Sequence, residues 1–176
     1  MGKIERMFFS FSLIAIIFML ISGCEDKEKA IEERNKAIVR HVHEEVAKGN
    51  AAVFDEVLAS NYIRHCQAMP PELQELHGTE QFKAFVKDFM KAVPDAHDSI
   101  DLMIAEGDKV AYIATTTGTQ VGQMGPFPAS GKEFTLVNII IHRLEDGKIA
   151  ETWVSWDNVA FLTQLGFFPP PGEDNE

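Results

Sequence analysis

Positive charge is in short supply in this sequence. Sixteen lysines and arginines stand against 27 aspartates and glutamates, for a formal net charge of −11 over 176 residues. The basic residues form no stripe, which argues against a nucleic-acid groove and predicts no nucleic-acid partner. Cysteine is scarcer still, with only Cys24 and Cys66, and the two sit in unlike contexts. Internal repeats and long low-complexity tracts are missing. Strong metal-ligand spacing is missing too. His41 and His43 fall two apart on a helix and do not share a face, and His97 beside Asp98 is no better. What is present is a single-domain length with an ordinary globular balance, 45% hydrophobic and 24% charged.

The one long apolar run lies at the N-terminus. Lys3 and Arg6 precede an uncharged, mostly apolar stretch from Met7 to Ile21, and Ser22-Gly23-Cys24 follows. The run is short for a membrane span, and acidic, helix-forming sequence follows it at once. Leu20-Ile21-Ser22-Gly23-Cys24 resembles a bacterial lipoprotein signal; a plain hydrophobic anchor with an incidental cysteine is the alternative. The resemblance implies removal of residues 1–23 and lipidation of Cys24. It also implies a place in the bacterial cell envelope, tethered to a membrane with the domain facing periplasm or exterior. Several acyl chains hold a protein where one does not. Cys66 is then without an intrachain partner and is expected free and partly buried, with pairing between subunits as the alternative.

After a short tether over 24–30, apolar spacing predicts a helix from about Ile31 to Lys48, a short one around Val53 to Leu58, and a third from Glu80 to about Val93. Tyr62 to His65 reads as a brief extended segment, and Glu72 to Leu76 as a single helical turn. Strands are expected at His97–Ala105 and Lys109–Thr119. Asp146-Gly147, between two apolar, β-branched runs, marks a hairpin of about Glu133–Leu144 and Lys148–Trp156. Thr115, Thr116, Thr117 and Thr119 read chiefly as strand formers. A short helix over Asn158–Leu165 and a proline-rich, acidic tail over 167–176 close the chain. Helices followed by an antiparallel sheet make an α+β domain over 31–166.

Several segments resemble the SnoaL-like ester cyclase (polyketide cyclase) family of the NTF2-like superfamily. They are Ile104-Ala105-Glu106-Gly107-Asp108, Gly125-Pro126-Phe127-Pro128, Glu145-Asp146-Gly147-Lys148-Ile149 through Trp153, and Leu162-Thr163-Gln164-Leu165-Gly166. Tyr62-x-x-His65 is similar to the Tyr-x-x-His segment that opens many members. The resemblance implies a cone-shaped α+β barrel, with N-terminal helices packed in a curved antiparallel sheet and an apolar pocket at the open end. It also implies a homodimer through the outer sheet face, and no cofactor or metal. Characterised members close a ring by intramolecular aldol chemistry. They use an Asp after the Asp-Gly hairpin and a Gln-x-His pair before it. Aligned on Asp146-Gly147-Lys148-Ile149, those positions fall on Val154, Asn138 and Ile140, and neither aliphatic residue can transfer a proton.

Strand alternation puts Asn138, Ile140 and His142 on one face, with Thr152, Val154 and Trp156 on one face of the next strand. Asn138, Ile140, Val154 and Trp156, with Tyr62, are therefore the expected pocket for a small, largely apolar molecule. His65 is the candidate acid/base because an imidazole titrates near neutral pH. Asp157 is its candidate partner, although it equally reads as a helix N-cap. Three functions stay open: a lipid-anchored binding domain; a cofactor-independent cyclase, isomerase or hydrolase using His65 and Asp157; and a structural or interaction module. The tether has its own test. Cys24→Ser should move the protein from the membrane to the soluble fraction and abolish metabolic labelling with a fatty acid; unchanged fractionation would leave the hydrophobic-anchor reading.

Overall fold

A computed structural model of the protein describes residues 26–168. The expected signal segment 1–23, Cys24, and the tail from 169 onward lie outside the described residues. Helix α1 covers residues 26–47, so residues 26–30 are helical rather than a tether. The reason is compositional: Asp26, Lys27, Glu28, Lys29 and Ala30 put acidic charge and good helix formers in the first turns. Asn35 and Val39 are buried, whereas Ile31 is exposed. No helix among the described residues is long and apolar enough to cross a membrane.

Helix α2 (Val53–Val57) runs directly into strand β1 (Leu58–His65). A 3-10 turn at Pro71–Leu73 takes up the start of the helical turn expected over Glu72–Leu76, and β2 (Glu75–His77) takes up its end. Pairing overrides local preference there. His77, Leu76 and Glu75 lie opposite Ile63, Arg64 and His65 on β1, and Leu76 is buried. Helix α3 (Gly78–Ala92) follows, with the Gln81 side chain accepting a 2.8 Å hydrogen bond from the His77 backbone N–H. Then come β3 (His97–Glu106), β4 (Lys109–Thr119), β5 (Glu133–Glu145), β6 (Lys148–Trp156) and α4 (Asn158–Leu165).

The six strands form one sheet in the order β2-β1-β6-β5-β4-β3. β3 to β6 are an antiparallel meander, and β1 joins β6 in parallel. The β5–β6 turn has Asp146 at φ 51° and Gly147 at φ 78°. Two consecutive positive φ values make the tight turn whose twist suits a hairpin. This is the α+β cone that the family resemblance implies, with helices against one face of the sheet.

Two apolar clusters fill the inner side. The larger joins Val39, Val53, Phe54 and Val57 of the helices to Leu58, Tyr62, Val110, Tyr112, Ile140, Leu144 and Ile149 of the sheet. The smaller joins Ala92, Val93 and Phe134 to Phe161 and Leu165 of α4. Helix α1 also closes the β3–β4 turn: the Asn35 Nδ2 donates to Gly107 O, and the Gly107 N–H donates to Glu32 Oε1, both at 3.2 Å. The 120–132 loop is held to the end of α3, because the Val121 and Gly122 N–H groups both donate to Ala92 O. A Cβ on Gly122 would stand 2.8 Å from Ala92 Cα and 2.9 Å from Lys91 O. Backbone cannot retreat as a side chain can. Gly122→Ala should therefore destabilise the fold by about 1–3 kcal/mol, read as a lower urea midpoint with an unchanged m-value.

Candidate functional site

The chemistry gathers on the inner face of the sheet. Period-two alternation sends Tyr112 and Thr116 of β4, Asn138 and His142 of β5, and Thr152 of β6 to that side. Register then makes them neighbours. Asn138 lies opposite Trp156, Ile140 opposite Val154, and His142 opposite Thr152. Asp98 of β3 lies opposite Thr116.

Polar side chains taken out of water need partners, and here they find one another in two chains. In the first, Thr116 Oγ1 donates to Asp98 Oδ1 and accepts from Asn138 Nδ2 at 2.8 Å. Thr116 is buried while Asp98 is solvent-exposed, so the carboxylate stands at the rim with a hydroxyl–amide relay behind it. The second chain crosses from α1 to β1. His43 Nε2 lies 3.2 Å from the Tyr112 hydroxyl, which lies 3.0 Å from His142 Nε2. His142 Nδ1 lies 2.8 Å from Thr152 Oγ1, and the Thr152 side chain also stands by the Tyr62 hydroxyl, favouring its ionised form. A tyrosine hydroxyl donates once and accepts twice, so Tyr112 can join both imidazoles.

Burial sets the protonation of this second chain. It pushes His142 down to about 3, with the neighbouring His43 adding to the shift. His43 is also lowered by burial, against the pull of the Asp98 charge. Burial pushes Tyr62 up to about 12, partly offset by the Thr152 side chain and the nearby Arg64 charge. Tyr112 is raised by burial, then by the charge of Asp98. At neutral pH the chain is therefore two neutral imidazoles and two neutral phenols, able to pass hydrogen-bond polarity without net charge.

The residues singled out in the sequence are divided by this geometry. Tyr62 and Ile140 point inward but are packed in the large apolar cluster, 1% and 7% exposed. Asn138, Val154 and Trp156 are half-buried on the same face. His65 is not with them. It stacks on the exposed Trp153 on the outer face, with ring centroids 5.5 Å apart. Its Nε2 lies 2.9 Å from Glu151 Oε1 and its Nδ1 3.2 Å from Glu75 Oε1. Asp157 caps α4, accepting from the Ala160 N–H at 2.9 Å. His65 lies beside Trp153, four residues before Asp157 along β6, roughly 13 Å at strand spacing. The pair is not a dyad. Cys66 is free and, at 1% exposure, fully rather than partly buried. No cluster of three potential metal ligands occurs among the described residues.

Asp98, His43, Tyr112 and Thr116 carried no site signal in the sequence. Asn138, His142 and Thr152 are legible through strand alternation, and Tyr62 through the Tyr-x-x-His segment. The others come from α1, β3 and β4, whose mutual register no local pattern contains.

Comparison with known proteins identifies the fold that carries this arrangement. The family model for the SnoaL-like polyketide cyclase matches residues 36–165. A structure provisionally assigned as a SnoaL-like polyketide cyclase, from Jannaschia sp. CCS1, is similar at TM-score 0.71 and 25% identity, covering 80% of this chain and 96% of that one. TsrD from Streptomyces laurentii is similar at TM-score 0.67 and 27% identity, covering 77% and 97%. IdmH, from Streptomyces antibioticus and provisionally assigned as a polyketide cyclase, shares the fold at TM-score 0.63 and 24% identity, covering 75% and 98%. Among curated proteins none matches.

The buried imidazole leaves a signature in stability. The folded pKa of His142 lies below its unfolded value, so the unfolded chain binds the extra proton between about pH 6.5 and about 3. Stability should therefore fall as pH drops through that window, by at most about 1.4 kcal/mol per pH unit for one proton. His142→Gln should flatten this slope in urea titrations at pH 7, 6, 5 and 4. An unaltered slope would assign the loss to other groups.

Proposed function

The chain belongs to the SnoaL-like polyketide cyclase family, and from that premise we propose a cyclase-type domain that holds a small, largely apolar molecule against the inner sheet face and moves a proton on it. The single observation that carries this reading is the Asp98–Thr116–Asn138 relay beside the Tyr112–His142 chain. Val154 and Trp156 offer apolar contact on the same face. Asp98 Oδ1 is engaged by Thr116, and its other oxygen is the base that removes a proton α to a carbonyl. The enolate oxygen that forms takes a hydrogen bond from the free N–H of Asn138 or from Tyr112. Ring closure follows when the enolate carbon attacks a second carbonyl of the same molecule. The resulting alkoxide takes the proton back from Asp98, so atoms balance without a co-reactant.

In this proposal Asp98 stands in for the family carboxylate position occupied here by Val154, and His65 and Asp157 take no part in proton transfer. The domain is anchored in the bacterial envelope through acylated Cys24. It pairs with a second copy through the outer face, where Leu102, Ile104, Val137, Ile139, Ile141 and Trp153 stay exposed. A binding domain without turnover is the second reading, favoured by the aliphatic Ile140 and Val154.

An exchange assay separates the two. With 2-tetralone as a small apolar ketone in D2O, the wild type should accelerate loss of the α-protons over buffer, seen by NMR. Asp98→Asn should lose roughly 10²–10⁴-fold of that rate while still binding the ketone. Equal rates for variant and wild type would remove Asp98 as the base. Binding without acceleration by the wild type would leave the second reading.

A further inference from the structure

Arg64 has no place in the proton relay, yet it is the least expected charge in the protein. Strand β1 alternates Tyr62 and Arg64 to the inner side. There Arg64 lies between Leu76 of β2 and Thr152 of β6, and it is only 5% exposed. Its guanidinium sits over the ring of Phe85 on α3, 4.8 Å from the centroid. That contact covers one face of the plane and none of its N–H edge. Nη1 has no hydrogen-bond partner among the described residues. Arg143 on the outer face shows the contrast, since it is only half-buried yet bonds both Glu145 and Glu151. Arg64 enters none of the ion pairs among the described residues.

A buried cation is costly unless an anion joins it in a low-dielectric site. The planar fork of N–H groups is the shape that a carboxylate meets with two parallel hydrogen bonds. We infer that Arg64 is the binding site for the carboxylate of an amphiphilic acid whose apolar body lies along the inner face. This rests on the proposed binding of a small apolar molecule and narrows it to anionic ligands. The position gives the ligand a direction. Val154 follows Thr152 by one inner-face step, so the body runs from Arg64 past Val154 toward Trp156 and Asn138. Asp98 stands four strands away and repels the carboxylate, which keeps the acid at Arg64 and turns the other end of the molecule to the relay.

The test uses 2-naphthoate and its methyl ester, two probes with the same rings and different charge, titrated by calorimetry into the full chain. The wild type should bind the acid at least tenfold more tightly than the ester. Arg64→Met should bind both alike, by losing affinity for the acid alone, and Arg64→Lys should keep part of the preference. Without ligand, Arg64→Met should unfold at a higher temperature than the wild type, because an apolar side chain of similar length replaces an unpaired buried charge. Equal affinity of the wild type for acid and ester would overturn the inference and leave the binding reading standing. Failure of both probes to bind would overturn both. A lowered unfolding temperature for Arg64→Met, with no preference for the acid in the wild type, would make Arg64 a structural cation held over Phe85 and overturn the inference.

Discussion

Curvature of the sheet governs this protein. Strands flanking Asn138 bend until their inner side chains are shut away from bulk water, and a polar group there must be satisfied by another strand or by a helix. Tyr112 reaches both α1 and β5, Thr152 serves both His142 and Tyr62, and Thr116 links β3 to β5. These bonds lie among the apolar clusters and bind the layers laterally. Apolar packing alone tolerates many registers of similar volume, whereas a hydrogen-bonded row tolerates few. The same row that makes the fold specific also lines the face on which the proposed ligand would lie.

The two faces of the sheet have divided their chemistry. On the inner face the charged groups are sparse: Asp98 at the rim and Arg64 within. On the outer face charge is plentiful and paired. Arg143 and His65 hold Glu151 between them, and although burial raises the Glu151 pKa, those two bonds bring it below the ordinary range. An imidazole in such an arrangement has both nitrogens committed, which suits a surface ion cluster and not a free acid/base. His65 and His142 face opposite sides of the sheet, though only one strand separates β1 from β5.

Much of the fold was legible because its signals are local. Asp146-Gly147 demands two positive φ values and an apolar flank on each side; the spacing of Phe82, Phe85, Val86 and Phe89 demands a helix; Asp157 ahead of Asn158 to Leu165 offers a cap. What escaped was set by distant partners. Glu75 to His77 is a strand only because β1 lies beside it. The candidate face was half legible: Asn138, Ile140, His142, Thr152, Val154 and Trp156 share a side by alternation alone. His43 and Asp98 could not be assigned to it, since a helix phase and a strand register must both be known before either is seen to face Tyr112. His65 misled for the opposite reason. One residue along a strand separates inside from outside, and His65 differs from Arg64 by that one step.

The parallel pairing of β1 with β6 has a kinetic meaning. β3–β4 and β5–β6 are joined by tight turns and β4–β5 by the 120–132 loop, all far shorter closures than the one between β1 and β6, which meet only across the whole intervening chain. Loop-closure entropy makes that contact a late event in folding. His43, Tyr62 and Arg64 arrive with the late half, and Asp98, Tyr112, Asn138 and His142 wait in the early one. The interior is thus a seam between two folding units. Opening along that seam would bare it without unravelling the meander, and a ligand bridging both units would act as a clasp that slows the opening.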